Sequence, residues 1–150
     1  MAGLLARLWA QPHDAYPFRP LARMCAAWAE EFEQDYAAAA VAEKLDPGLA
    51  RAGIALFREL PQTADGQVLL ATDLHGGNIL AARREPWLVI DPKPYIGGPG
   101  YDLLQHMLNS EDRLAGTDAG RARQWLFARS VQESIGSPLM REVAGRLAPA

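Results

Sequence analysis

The chain has 150 residues, 49% apolar and 22% charged, which supports a buried core in a single domain over 1–150 and argues against a disordered chain. A formal net charge of −3 without a basic stripe leaves no electrostatic footprint for nucleic acid. No apolar run approaches the roughly 20 residues of a membrane span, and the single cysteine, Cys25, cannot close an internal disulfide. These features point to a cytoplasmic protein.

Met1 to Trp9 lacks the basic start and long apolar run of a signal peptide and reads as a short amphipathic helix. Pro12, Pro17 and Pro20 make the next stretch a loop, with Pro20 suited to the first turn of a long helix. In that helix Leu21, Met24, Cys25, Trp28, Phe32 and Tyr36 recur at three- and four-residue spacing, while Glu30, Glu31, Glu33 and Gln34 form a solvated face. Asp46-Pro47 opens a second helix, with Leu49, Gly53, Leu56, Phe57 and Leu60 as its apolar stripe and Pro61 as its stop.

The period then changes. Val68 to Leu70 reads as a strand, and Asn78–Ala81 and Trp87–Ile90 read as an antiparallel hairpin turning through Arg83-Arg84-Glu85-Pro86. Pro92 to Gly100 reads as an ordered loop, and Tyr101-Asp102 starts a further helix. Beyond a polar gap, Trp125, Leu126, Val131 and Ile135 mark one helix, and Ser137-Pro138 caps a last one carrying Met140, Val143 and Leu147. The expected class is α+β, mostly α, with one small hairpin.

Chemistry concentrates in Thr72-Asp73-Leu74-His75-Gly76-Gly77-Asn78 and in Ile90-Asp91-Pro92-Lys93. A carboxylate on a loop after a buried strand, as at Asp73, orients or deprotonates a substrate hydroxyl. Asn78 and Asp91 offer hard oxygen ligands of the kind Mg²⁺ takes. Asp-x-x-x-x-Asn followed by an Asp after a second hairpin strand is the arrangement of kinase-type phosphoryl transfer, in which placement and charge neutralisation supply most of the acceleration. Taken alone, Asp73 is a turn residue capping its loop; Asn78 and Asp91 in register are what favour a metal–phosphate site. A zinc hydrolase built on Asp73, His75 and Asp91 is the remote alternative, since catalytic zinc generally takes three protein ligands, often including two His. Gly76-Gly77 lacks the Gly-Lys-Ser/Thr of a phosphate cradle and needs only a sharp turn to explain it.

Thr72 to Leu80 resembles the catalytic loop of the aminoglycoside phosphotransferase superfamily. Trp87 to Tyr95, with Asp91-Pro92-Lys93, and Gly97-Gly98-Pro99-Gly100-Tyr101-Asp102 resemble its streptomycin 6-kinase and hydroxyurea phosphotransferase branch. The resemblance implies the helical C-terminal lobe of a kinase-like fold with ATP and Mg²⁺ as cofactors. Its acceptor would be a small aminoglycoside-like or hydroxyurea-like molecule. Asp73 would be the catalytic base, Asn78 and Asp91 the Mg²⁺ ligands, and Lys93 would lie near the phosphates or the substrate. Asp102 would cap its helix and brace the catalytic loop.

The sequence departs from that pattern in several places. Ala71-Thr72 stands where the family has His-Gly before the catalytic Asp, which would loosen the loop's support. Gly98 replaces an Asp before Pro99, and 114–122 is short for the branch. No Gly-rich phosphate loop or strand-borne Lys precedes residue 68. The expectation is therefore that the nucleotide-clamping N-terminal lobe is absent and would be separately encoded, with a catalytically incompetent fragment as the alternative.

Overall fold

The computed structural model of the chain describes residues 7–13, 15, 17–104 and 119–148. It is a mixed α+β structure whose residues divide into two compact units, 1–21 with 64–122 and 22–63 with 123–150.

The second unit is helical. Helix α1 (Leu21–Ala38) begins in the first unit and continues through the second. Met24, Cys25, Ala29 and Phe32 are buried, and Glu30, Glu31, Glu33 and Gln34 lie in solvent, as the periodicity predicts. Helix α2 (Pro47–Glu59) starts where Asp46 accepts from the Gly48 and Leu49 amides at 2.8 and 3.1 Å, satisfying two of the donors every helix start leaves open.

The buried face of α2 is Ala50, Gly53, Ile54 and Phe57, rotated from the stripe expected, with Leu49 and Leu56 only half-buried. Gly53 sets this rotation. A Cβ there would stand 2.4 Å from Val131 Cγ2, so the helix bearing Val131 approaches α2 at its bare backbone. Residues three behind, one ahead and four ahead of Gly53 then share its face.

That partner is α3 (Ala119–Gln132), whose Trp125 meets Phe57 edge-on at 6.0 Å. Burying each of these rings contributes roughly 1.5–3 kcal/mol. The Arg129 guanidinium stacks on Trp28 at 4.2 Å. Helix α4 (Pro138–Leu147) is capped by Ser137, as expected. The buried Ser130 and Ser134 hydroxyls have no hydrogen-bond partner among the described residues.

The first unit holds the strands. β2 (Val68–Leu70) pairs antiparallel with β5 (Tyr95–Gly97), and β1 (Arg19–Pro20) lies parallel on the other side of β5. This corrects two expectations. Residues 92–100 contain a central strand as well as loops, and Pro20 ends a short edge strand instead of opening α1. Pro94 and Pro99 fall just outside β5 and Pro20 lies on the edge, so no proline interrupts the centre of the ladder. A Cβ on Gly97 would stand 2.7 Å from Leu21 Cβ, which explains the glycine on this crowded strand.

β3 (Ile79–Ala81) and β4 (Trp87–Val89) form the predicted hairpin in the register Ile79↔Val89, Leu80↔Leu88 and Ala81↔Trp87. Ile79 and Val89 pack on a core of Ala71, Leu74, Leu103 and Ala122, together with Leu8 and Trp9. Trp87, which opens β4 opposite Ala81, is 56% exposed at the turn end of the hairpin. Most of the expected first helix, and the helix expected after Asp102 from residue 105 onward, lie outside the described residues.

Candidate active site

Three short segments build the site, each placed by the sheet and hairpin. β2 ends at Leu70 and leads through Ala71 and Thr72 to Asp73. The hairpin register brings Asn78, just before β3, level with Ile90, just after β4, and the Ile90 amide donates to the Asn78 carbonyl at 2.9 Å. Asn78 and Asp91 therefore leave the same end of the hairpin. The chain then runs past Lys93 into β5, which pairs back onto β2.

Asp102 ties the loop after β2 in place. Its carboxylate is 1% exposed and accepts from the Ala71 amide at 3.1 Å, the Thr72 amide at 2.8 Å and Trp9 Nε1 at 3.2 Å. The bracing role expected of Asp102 is thus visible as hydrogen bonds to the two residues that precede Asp73. Charge-assisted bonds of this kind are stronger than neutral ones.

Asp73 itself is about a quarter exposed. Lys93 Nζ donates to its Oδ2 at 2.5 Å, Asn78 Nδ2 donates to its main-chain carbonyl at 2.9 Å, and His75 Nε2 stands 4.0 Å from its Oδ1. Lys93 is further fixed along its backbone. Its amide donates to the Ala71 carbonyl at 3.0 Å, and its carbonyl accepts from Thr72 Oγ1 at 2.5 Å. The hydrogen bond to Asp73, then the negative charges of Asp73 and more weakly Asp91, raise the Lys93 ammonium above the ordinary lysine range, so it stays cationic at neutral pH.

The structure thus places Lys93 directly on Asp73. Asp91 makes no hydrogen bond or ion pair with a described residue, and its charge is felt at Lys93. Thr72 and Asp91 are the two described non-glycine residues in the left-handed region, at φ 52° and 47°. Aspartate tolerates that conformation, whereas a β-branched threonine there is an outlier. Pattern reading missed the contribution of Thr72; the available signal was a threonine where the resembling family carries glycine.

The donor set suits Mg²⁺. Asn78 commits its Nδ2 to the Asp73 carbonyl, which leaves its amide oxygen as the ligand atom, and Asp91 brings a carboxylate without a hydrogen bond to a described residue to the same hairpin end. No three His, Cys, Asp or Glu residues cluster among the described residues. Two hard oxygen ligands, completed by water and phosphate oxygens, are what Mg²⁺ commonly takes, because it dehydrates reluctantly.

A family profile described as "Aminoglycoside/hydroxyurea antibiotic resistance kinase" matches residues 1–136. The chain belongs to this family. Among curated members, the streptomycin 6-kinase of Streptomyces glaucescens is 34% identical over an alignment of 155 positions, covering 90% of this chain and 49% of that protein. The streptomycin 6-kinase of Streptomyces griseus is likewise 34% identical over 156, with the same coverage. The hydroxyurea phosphotransferase of Kitasatospora aureofaciens is 45% identical over 82, covering 47% of this chain and 24% of that protein. The chain spans about half the length of the streptomycin kinases it matches. No solved structure matches it. Among the described residues no helix is long and apolar enough to cross a membrane.

Proposed function

We propose that this resistance-kinase family member is a cytoplasmic phosphotransferase and that residues 72–93 carry the acceptor and metal half of its site, on the helical C-terminal lobe of a kinase-like fold. The reaction is transfer of the ATP γ-phosphoryl group to a hydroxyl of a small acceptor of the aminoglycoside or hydroxyurea type. The observation that carries this reading is Asp73, hydrogen-bonded through its carbonyl to Asn78, with Asp91 at the same hairpin end.

In the reaction the acceptor hydroxyl gives its proton to Asp73 as its oxygen bonds the γ-phosphorus. The bond from that phosphorus to the β,γ-bridging oxygen breaks and ADP leaves. Asn78 and Asp91 would hold Mg²⁺, which when bound would neutralise charge on the phosphates. Lys93 provides a permanent cation beside the transferred group. Because 1–150 contains no Gly-rich phosphate loop and the streptomycin kinases it matches are about twice as long, this reading expects nucleotide-clamping polypeptide beyond these residues, continuous with them or separately encoded.

The test measures γ-phosphoryl transfer from Mg²⁺-ATP to streptomycin or hydroxyurea, with Asp73→Ala alongside. Acceptor-dependent transfer abolished by that substitution supports the reading. Binding of Mg²⁺-ATP weaker than millimolar with no transfer would assign these residues to a fragment that folds without turning over.

A further inference from the structure

His75 has no part in the scheme above, yet its ring is fixed by a hydrogen bond within its own turn. Nδ1 accepts a hydrogen bond from the Gly77 amide at 3.1 Å, closing the single turn Gly76–Asn78. The ring lies against Gly77: a Cβ there would stand 3.0 Å from His75 Cε1 and 3.1 Å from Nδ1, so the glycine is what lets the imidazole settle. An Nδ1 that accepts cannot carry the proton, so the neutral ring bears it on Nε2. That N–H lies on the side of Asp73 Oδ1, 4.0 Å away, too far for a direct hydrogen bond.

The other carboxylate oxygen is already engaged, since Lys93 Nζ sits on Oδ2 at 2.5 Å. Asp73 therefore has one oxygen closed by lysine and one oxygen open, and the open one faces a histidine donor across a gap. An oxygen atom about 2.8 Å from each side spans such a gap with roughly a right angle at that oxygen. A hydroxyl fits both partners, donating its proton to Oδ1 and accepting from Nε2–H. His75 and Asp73 are 43% and 26% exposed, so the gap is open to an incoming group.

We propose that His75 Nε2–H and Asp73 Oδ1 form a two-point seat for the acceptor hydroxyl, with His75 as a further substrate-contacting residue. The inference rests on the reading of Asp73 as the group that receives the hydroxyl proton. Its chemical consequence is selectivity for the nucleophile. An alcohol or an N-hydroxy group has both the proton and the lone pairs that the seat requires. A protonated amine has three donors and no lone pair, so it meets the Nε2–H with another N–H. Of the oxygen's lone pairs, one is taken by His75, which directs the remaining one and fixes the approach of the hydroxyl to phosphorus.

The seat can be tested without turnover, using water as the smallest hydroxyl. A crystal structure of the 150-residue chain at a resolution that orders waters should show one within hydrogen-bond distance of both His75 Nε2 and Asp73 Oδ1. It should persist in His75→Gln, whose amide can still donate from a similar position, and vanish in His75→Ala. ¹⁵N-histidine NMR, with His75→Ala used to identify the signal among the three histidines, should show Nε2 protonated and Nδ1 bare. A proton on Nδ1, a direct His75–Asp73 contact that closes the gap, or a gap water touching only one partner would overturn the seat.

In turnover, His75→Ala should lower kcat by about tenfold to a hundredfold, the scale of a misoriented nucleophile. The KM for ATP should stay unchanged, and His75→Gln should recover most of the loss. A kcat unaffected by His75→Ala would refute the seat while leaving the phosphotransferase reading intact. Transfer that survives Asp73→Ala would refute that reading instead, whatever the crystal structure shows.

Discussion

Replacing Asp102 should collapse the support of the loop after β2, and the size of the loss follows from the groups it leaves behind. In Asp102→Ala the Ala71 and Thr72 amides and the Trp9 indole N–H all lose their acceptor. An orphaned buried donor costs about 1–3 kcal/mol. Ala71 is buried, but Thr72 and Trp9 are only partly so and can recover some hydration. The expected loss is therefore about 3–5 kcal/mol, a large fraction of the 5–15 kcal/mol that typically holds a domain together. Asp102→Asn should lose less, about 1.5–3 kcal/mol. Its oxygen can serve Ala71 and Trp9 while its NH₂ opposes the Thr72 N–H, so one donor is orphaned instead of three. Urea titration gives the totals, and hydrogen exchange at the Ala71 and Thr72 amides localises them. A loss under about 1 kcal/mol in Asp102→Ala, or unchanged protection of both amides, would show that the carboxylate is not what holds this loop.

Four further substitutions probe the packing and the titrating groups. Gly53→Ala should cost about 1–3 kcal/mol through the clash with Val131, and adding Val131→Ala should return most of it; additive losses would count against close approach at this pair. Gly98→Asp, which restores the residue usual in the resembling family, should destabilise because its Cβ would lie 2.6 Å from Ala64 Cβ, and Ala64→Gly should relieve it in thermal melts. Ser130→Ala should be neutral or stabilising by up to about 1 kcal/mol, since it removes a buried hydroxyl that makes no hydrogen bond with a described residue; a clear loss in urea would reveal a partner. Burial pushes the fully buried Cys25 thiol up to about 12, against a weaker opposing influence from Arg129. The folded state thus keeps its proton longer than the unfolded one: the stability contribution is full below about pH 9 and is lost as pH rises toward 12, by at most roughly 4 kcal/mol. The alkaline fall in urea midpoint should accordingly be shallower in Cys25→Ala than in the wild type, and parallel curves would contradict this.

How much of this was legible in the sequence depended on whether the deciding contact was local. The helix starts at Asp46 and Ser137 were readable because a cap is satisfied within three residues. The hairpin was readable because its strands are separated by a short polar turn. β5 was not: three residues between prolines and glycines carry no periodicity, and the strand exists because β2 and β1 flank it. The rotation of α2 escaped for the same reason: the expected stripe already ran through Gly53, but that Gly53 is the point of closest approach appears only once Val131 stands opposite. Within the site, Asp73, Asn78 and Asp91 were singled out by spacing. The Lys93–Asp73 ion pair, twenty residues apart, became visible only when β5 paired back onto β2.

The replacement of His-Gly by Ala71-Thr72 was expected to loosen the loop, and the structure shows other ties holding it. Placing a non-glycine residue at φ 52° costs about 1–2 kcal/mol, so Thr72 must be held there by its surroundings. Two contacts do so. The Thr72 amide is anchored on the Asp102 carboxylate, and its hydroxyl donates to the Lys93 carbonyl, an interaction glycine has no atom to make. That hydroxyl pins the backbone of the same residue whose ammonium closes Asp73 Oδ2. The strain at Thr72 and the orientation of Asp73 are therefore parts of one arrangement. Asp102 fixes the loop from the buried side, Thr72 couples it to the segment after β4, and Lys93 returns that coupling to the carboxylate on the open side.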